Sequence, residues 1–117
     1  MKFDLEDRTA KFGEMIIKFC RTIPDTTLTH SLIVQLIKCS SSIGANYAEA
    51  DDAESKDDFR HKIAISKKEA RETKHFLRLL AAANPESRSK IVPLWQEAKE
   101  LNLILNTIYR RVKFPNN

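Results

Sequence analysis

Residues that break regular structure are scarce in this sequence, with only two glycines and four prolines in 117 residues. Their scarcity favours a few long elements joined by short loops. The chain also has only two cysteines, Cys20 and Cys39, which excludes a disulfide-rich scaffold. A single domain of this length can bury a core without disulfides or metals. We therefore expect both cysteines to be free thiols in the core.

Long apolar runs are also missing. No stretch approaches the roughly 20 apolar residues that span a bilayer. The N-terminal segment MKFDLED is charged and lacks the apolar centre of a signal peptide. These absences predict a cytoplasmic protein that does not associate with membranes. Hydrophobic residues make up 42% of the chain and charged residues 31%, a balance typical of a globular fold.

Apolar residues recur at three- and four-residue spacing in four segments, which predicts four α-helices and no strand. Short loops make consecutive helices antiparallel neighbours. The predicted fold is therefore all-α, an antiparallel up-down-up-down four-helix bundle that forms one domain. The expected helices cover about residues 4–21, 28–50, 56–82 and 86–112, followed by a loose tail at 114–117.

Three local expectations accompany these helices. Met15 belongs to the apolar stripe of the first helix. Thr26 or Thr27 caps the start of the second helix, because a hydroxyl can accept a hydrogen bond from a free backbone N–H there. Pro93 kinks or breaks the first turns of the fourth helix.

The formal net charge of +4 lies entirely on the third helix. Between Ser55 and Ala82 there are eight basic and four acidic residues, and the rest of the chain has twelve of each. Six of the basic residues fall within about 60° of one another on the helical wheel, over a length of about 33 Å. They form what we call the basic stripe: Lys56, Arg60, Lys67, Arg71, Lys74 and Arg78. Regularly spaced cations can bind phosphates by releasing condensed counterions.

The alternative is a solvated face whose cations pair with carboxylates of the fourth helix, and this is the usual explanation for one basic helix face. The available carboxylates are those of Glu86, Glu97 and Glu100. Phe59 and Phe76 point towards the core, so no aromatic ring on this helix is expected to stack on bases. Any nucleic acid would then be recognised through backbone and shape. The opposite flank of the helix is acidic, with Asp58, Glu69 and Glu72.

The second helix is apolar or small on a flank beside its core stripe. A helix that is apolar most of the way round must be covered on more than one side. Either the other three helices cover this flank, or a second subunit does. With opposite charges on the two flanks of the third helix, a head-to-tail ring is geometrically reasonable. The predicted subunit interface consists of Ile33, Ile37, Ser41, Gly44, Ala48 and, from the fourth helix, Leu103.

The sequence offers no catalytic or metal-binding constellation. The pairs Glu72-x-x-His75 and Asp58-x-x-His61 have the spacing of di-iron bundles but lie about 21 Å apart on one helix. The serines at 40–42 are explained as small packing residues or as hydroxyls that bond back to the helix backbone, and no glycine-rich phosphate loop is present. We therefore expect a protein that is not an enzyme and has no metal or cofactor.

Several motifs together resemble a known family. The run SSSIGANYAEA at 40–50 is followed by SKDDF at 55–59, KEARET at 68–73 and LRLL at 77–80. These motifs resemble the bacterial four-helix bundle proteins encoded in 23S rRNA intervening sequences. The resemblance covers the second and third helices and extends to the whole chain in length and layout. His75 and Phe76 stand where the family is expected to have a Tyr-Trp pair, a departure that affects packing.

The resemblance implies a left-handed bundle assembled as a homopentamer. It also implies kinship with the accessory variability determinant proteins of diversity-generating retroelements, which are basic pentamers that bind nucleic acid and a reverse transcriptase. No catalytic residues are available to carry over. The expected function is an oligomer that binds structured RNA or other nucleic acid through the basic stripe. The alternative is a protein-interaction scaffold with no nucleic-acid role. A reverse transcriptase-like partner is implied by the resemblance alone.

Overall fold

Four α-helices make up most of the chain in the computed structural model, which describes residues 4–112. A 3-10 turn at Pro85–Ser87 precedes the last helix. No strand occurs in this part of the chain, so the predicted all-α class is confirmed. The tail predicted at 114–117 lies outside the described residues. The helices are α1 (Leu5–Cys20), α2 (His30–Asp51), α3 (Lys56–Ala83) and α4 (Arg88–Arg111).

Side-chain caps fix the starts of α1 and α3. The carboxylate of Asp4 accepts a hydrogen bond from the backbone N–H of Asp7 at 3.0 Å. The hydroxyl of Ser55 accepts one from the N–H of Asp58, also at 3.0 Å. Each cap satisfies a backbone donor that has no partner inside the helix. Acidic residues in both first turns add a favourable interaction with the helix dipole.

The start of α2 differs from the prediction. The helix begins at His30, with Thr29 at the N-cap position. The hydroxyl of Thr26 accepts hydrogen bonds from the backbone N–H groups of Leu28 and Thr29, both at 3.2 Å, so it caps a turn that precedes the helix. The hydroxyl of Thr29 instead donates to the carbonyl of Pro24 at 2.6 Å and accepts from the N–H of Thr26 at 2.9 Å. These local bonds close a turn before the helix, because threonine hydroxyls compete with helical geometry for backbone partners.

The fourth helix is continuous through Pro93, so Pro93 does not break it, and the alternative of a kink stays a prediction. Proline cannot donate the hydrogen bond that would reach the carbonyl of Ser89. Both residues are exposed near the start of the helix, where water can hydrogen-bond that carbonyl.

The helices pack as a closed ring of neighbours. Within residues 4–112, α1 contacts α2 and α4, and α3 also contacts α2 and α4, which leaves α1 and α3 diagonal, as are α2 and α4. This arrangement confirms the four-helix bundle. The apolar faces of α3 and α4 supply much of the core. The largest fully buried apolar side chains are Phe12, Ile16, Leu36, Ile43, Ile63, Leu77, Leu80, Leu101 and Leu105.

One predicted core residue is on the surface. Met15 is 45% exposed, whereas Phe12 and Ile16 are fully buried. At 100° per residue, Met15 lies about 90° from the centre of the buried face of α1. The prediction that Met15 belongs to the apolar stripe is therefore wrong. A methionine at the edge of the stripe satisfies the three- and four-residue spacing without reaching the core.

Small and hydroxylated residues line the contact between α2 and α3. Ser66 is fully buried, and its hydroxyl donates to the carbonyl of Ile43 across the interface at 2.7 Å. Thr73 is also fully buried, and its hydroxyl lies 2.8 Å from the carbonyl of Glu69 and 3.3 Å from Sγ of Cys39. These bonds satisfy polar groups that would be costly to bury alone. They fix the register of α3, and with it the position of the basic stripe.

The two glycines give a matched test of the contact between α1 and α2. A Cβ atom added at Gly44 would lie 3.1 Å from Oγ1 of Thr9, whereas one added at Gly13 would meet no atom within 4 Å. We expect Gly13→Ala to raise the free energy of unfolding by about 0.5–1 kcal/mol through helix propensity. Gly44→Val is expected to lower it by about 1–3 kcal/mol through overpacking. Chemical denaturation measures both, and a stabilising Gly44→Val would contradict the close contact with Thr9.

Candidate nucleic-acid interface

The basic stripe runs along α3 beside α4, and the structure divides it into two rows. The inner row is half-buried against α4 and repeats every seven residues, at Arg60, Lys67 and Lys74. The outer row is exposed and consists of Lys56, Arg71 and Arg78. The inner row is therefore held in place by packing, while the outer row is presented to solvent.

At one end of the inner row, two cations share the ring of Tyr109. The guanidinium of Arg60 lies 3.9 Å from the ring centroid, and the ammonium of Lys67 lies 4.5 Å from it. Lys67 also donates a hydrogen bond to the side-chain oxygen of Asn106 at 3.1 Å. The side-chain amide of Asn102 donates to the backbone carbonyl of Lys67 at 2.7 Å. Cation–π contacts and hydrogen bonds thus fix these side chains relative to α4.

At the other end, the stripe meets Trp95. The ammonium of Lys74 lies 5.4 Å from the indole centroid, and that of Lys99, on α4 itself, lies 5.7 Å from it. An indole ring is the strongest of the aromatic partners for a cation. An aromatic side chain of α4 therefore lies near each end of the stripe, Tyr109 at one end and Trp95 at the other, and each has two cations close to its ring.

These aromatic side chains were missed by sequence reasoning. Phe59 and Phe76 are partly buried against the core, as predicted, and do not lie on the stripe. Trp95 and Tyr109, however, are 14 residues apart on α4 and fall about 40° from each other on its helical wheel. A comparison of the wheels of α3 and α4 could have shown that both project from the edge of α4 next to the stripe. The expectation for α3 itself therefore holds, and the two aromatic side chains beside the stripe come from α4.

Most of the carboxylates expected to neutralise the stripe are used elsewhere. Glu97 forms a bidentate ion pair with Arg8 of α1, with both hydrogen bonds at 2.7 Å. Glu100 also approaches Arg8, at 3.8 Å. Among residues 4–112, neither Arg71 nor Arg78 forms an ion pair. The acidic residues of α4 therefore bind α1 to α4 and leave the outer row uncompensated.

The opposite flank of α3 carries the predicted negative charge. Glu69 and Glu72 are half-buried on the side of α3 that faces α2. Burial raises the pKa of Glu69, and the neighbouring charge of Glu72 raises it further, while Lys68 and Lys38 act in the opposite direction. The helix therefore has a negative side towards α2 and a positive side towards α4. The field near the stripe is favourable to anions.

The residues predicted to form a subunit interface lie on two opposite sides of the bundle. Ile33 and Ile37 of α2 are partly buried against the core, and Leu103 of the diagonal helix α4 is 55% exposed. Ser41 is exposed and Ala48 is half-buried. Gly44 faces Thr9 inside the chain, so this contact explains the glycine without a second subunit. The interface itself stays a prediction.

Both cysteines are free and buried, as expected. Burial raises the pKa of the Cys20 thiol from an ordinary value of 9.0 to about 11. Burial also raises the pKa of Cys39, although a hydrogen bond from Thr73 acts in the opposite direction. Since the thiolate is the reactive form, neither cysteine is suited to be a nucleophile at neutral pH.

This gives a direct test of the core position of Cys20. A shift in pKa from 9.0 to about 11 lowers the thiolate fraction roughly 100-fold at mildly alkaline pH. In a Cys39→Ala variant, we therefore expect a disulfide reagent to label the native protein at least ~100-fold more slowly than the protein unfolded in guanidinium. Labelling should accelerate as pH rises towards the raised pKa. Equal rates in the two states would contradict the burial of Cys20.

The remaining side chains form no recognisable chemical centre in the described part of the chain. No group of three or more His, Cys, Asp or Glu residues that could hold a metal ion occurs between Asp4 and Val112. His30 pairs with Asp25 at 2.9 Å in the loop before α2. His75 is exposed and packs edge-on against Phe76. None of the helices in this range has the length and apolar character needed to cross a membrane.

The fold and the surface together define the class of protein, which is an antiparallel four-helix bundle with the basic stripe along one helix. The chain belongs to the 23S rRNA-intervening sequence protein family, whose family model matches residues 1–107. The resemblance inferred from the motifs of α2 and α3 is therefore confirmed at the level of the family. Kinship with retroelement accessory proteins stays a prediction.

A solved structure supports the assignment. The chain is similar to a protein of unknown function from the S23 ribosomal protein family of Bacteroides thetaiotaomicron VPI-5482, whose crystal structure was determined at 1.70 Å resolution. The two are 29% identical and superpose with a TM-score of 0.79, over 91% of this chain and 98% of the other. No curated protein matches the sequence.

Proposed function

We propose that this protein is a non-enzymatic oligomer that binds structured RNA or another nucleic acid in the cytoplasm through the basic stripe. The observation that carries the proposal is the uncompensated outer row. Arg71 and Arg78 are exposed and form no ion pair within residues 4–112, while Glu97 of α4 is bound to Arg8. Cations without protein counterions are free to replace the counterions of a phosphate backbone.

The dimensions of the stripe suit a nucleic-acid helix. Its length of about 33 Å on an α-helix is close to the roughly 34–36 Å of one turn of B-form DNA. Within the inner row, Arg60 and Lys67 are held by Tyr109 and Asn106, so these two cations lose little conformational freedom when a phosphate binds. Phosphate contacts of this kind position a nucleic acid without reading its sequence.

The arrangement of apolar surface supports an oligomer. The predicted interface residues of α2 and Leu103 lie on diagonal helices, and therefore on different sides of the bundle. Different surfaces that bind each other make head-to-tail contacts, which close into a ring when the rotation fits. Val34 is 50% exposed and lies about 20° from Ser41 on the wheel of α2, which extends the apolar flank. By likeness to the family, we propose a homopentamer, in which the stripe would be repeated around the ring.

A second candidate function is a protein-interaction scaffold. It is favoured by the separation of charge on α3, where acidic residues face α2 and basic residues lie beside α4. In a scaffold, these flanks would align subunits or a protein partner, including a reverse transcriptase-like protein. The stripe would then be covered by protein rather than by phosphate.

Fluorescence anisotropy with a labelled RNA hairpin tests the main proposal. We expect saturable binding to the full-length protein at low ionic strength, and competition by unlabelled hairpin. Light scattering on the same sample gives the mass of the assembly. Absence of hairpin binding by a folded, assembled protein would reject the nucleic-acid function and favour the scaffold.

A further inference from the structure

A groove opens at the end of the bundle where α3 passes into α4, beside Trp95. Its volume is about 610 Å³, which falls in the range of small-ligand sites. Apolar side chains from both helices form much of its lining, and two arginines stand in its wall. None of its described lining residues is acidic. The lining consists of Arg78, Ala81, Ala82, Arg88, Ile91, Val92, Trp95 and Gln96.

The chemistry of this groove differs from that of the rest of the stripe. Trp95 supplies a large aromatic surface, and the ammonium groups of Lys74 and Lys99 lie 5.4 and 5.7 Å from its centroid. Arg78 and Arg88 supply guanidinium groups, which form paired hydrogen bonds with phosphate. An aromatic wall, an apolar lining and surrounding cations together suit a ligand that has a flat aromatic part joined to an anion.

We propose that this groove, the Trp95 groove, binds an unpaired nucleotide of a looped or single-stranded segment of nucleic acid. The base stacks on Trp95 against the apolar lining, and the adjoining phosphates bind Arg78 and Arg88. Arg78 belongs to the outer row of the stripe, so the groove continues the phosphate track. This inference rests on the proposed function. It assigns the unpaired nucleotide to the groove and the rest of the phosphate backbone to the stripe.

The groove distinguishes unpaired bases from a duplex. In a duplex the faces of the bases are covered by their neighbours, so a duplex can reach the stripe but offers Trp95 nothing to stack on. Each base that stacks on an aromatic side chain typically contributes roughly 5- to 150-fold in affinity. Lys74 and Lys99 have flexible side chains, and both can leave the ring for a phosphate when a base arrives.

The protein contains its own reporter, because Trp95 is the only tryptophan in the sequence. The experiment titrates the full-length protein with a 5′-labelled oligoadenylate and with a blunt duplex of equal length. Label anisotropy gives the affinity, and tryptophan fluorescence reports contact at the groove. We expect both nucleic acids to bind, but only the single strand to quench the fluorescence of Trp95. Trp95→Leu should weaken the single strand roughly 10- to 100-fold and leave the duplex within about twofold.

Two further variants keep the test valid if Trp95→Leu does not fold. Arg88 lies in the groove but outside the stripe, and Val92 is 51% exposed, so Arg88→Gln and Val92→Glu should both be tolerated. Both are expected to weaken the single strand selectively. Arg21→Gln, an exposed arginine on the loop side of α1, is the matched control and should change neither affinity.

The outcomes separate the two proposals. Equal binding of single strand and duplex, with no quenching and no effect of these variants, would overturn the Trp95 groove while the stripe function stands. Failure of both nucleic acids to bind would overturn the stripe function and the groove together. If the groove variants lose affinity for the single strand but keep their affinity for the duplex, both the stripe function and the Trp95 groove are supported.

Discussion

Reversing the charge of Lys67, Arg71 and Lys74 to glutamate is expected to lower the affinity for a structured RNA on the order of 100-fold or more. The triple variant removes three cations near the middle of the stripe and places three anions where phosphates would lie. Two of the replaced residues belong to the inner row and one to the outer row. Anisotropy with a labelled hairpin measures the loss, and circular dichroism verifies that the helices are retained.

The matched control reverses three cations on α1 and at its C-terminal cap, namely Lys11, Lys18 and Arg21. All three are exposed, and α1 is diagonal to α3 in the bundle. The control has the same net charge as the stripe variant but keeps the stripe. We expect it to retain most of the affinity for RNA. If both variants lose affinity equally, binding depends on overall charge and the stripe is not the site.

Placing arginine at both Ser41 and Ala48 is expected to convert the proposed oligomer into a monomer. An unpaired charge buried in an interface costs several kcal/mol, which raises the dissociation constant on the order of 100-fold or more. Both positions face outward enough to accept arginine in the monomer, since Ser41 is exposed and Ala48 is half-buried. Light scattering at micromolar concentration measures the mass.

Gln35→Arg provides the control for this double variant. Gln35 is exposed on the same helix and lies about 120° round it from Ser41. The Gln35→Arg substitution should leave the proposed assembly intact. An oligomer that persists in the double variant and in the control would place the interface on another surface, and a wild-type protein that is already monomeric would reject the assembly altogether.

The core of the bundle was predictable because its signal is local. Ile63, Ala70 and Leu77 of α3 are fully buried, and they follow the three- and four-residue spacing from which the helix was predicted. The burial of residues at the edge of an apolar stripe is harder to predict, since spacing alone does not fix the width of the buried face. The prediction for Met15 was wrong for this reason. The predicted start of α2 differs from the observed one because the hydroxyls of Thr26 and Thr29 close a separate turn ahead of the helix.

The candidate site was predictable only in part. The wheel of α3 placed six cations on one side of the helix, but their neighbours depend on the register between helices. That register places Tyr109 and Trp95 beside Arg60 and Lys74. The pairing of Glu97 with Arg8 depends likewise on α1 being next to α4. Sequence spacing along one helix contains no information on either contact.

The most direct test of the central claim is the salt dependence of hairpin binding by the assembled wild-type protein. If the basic stripe replaces counterions at phosphates, the logarithm of the affinity falls linearly with the logarithm of salt concentration. Each contact contributes a slope of roughly −0.7 to −0.9, so four to six contacts predict a slope of about −3 to −5 between about 50 and 200 mM salt. A slope near zero, or no binding at low salt, would contradict the claim that the stripe binds nucleic acid.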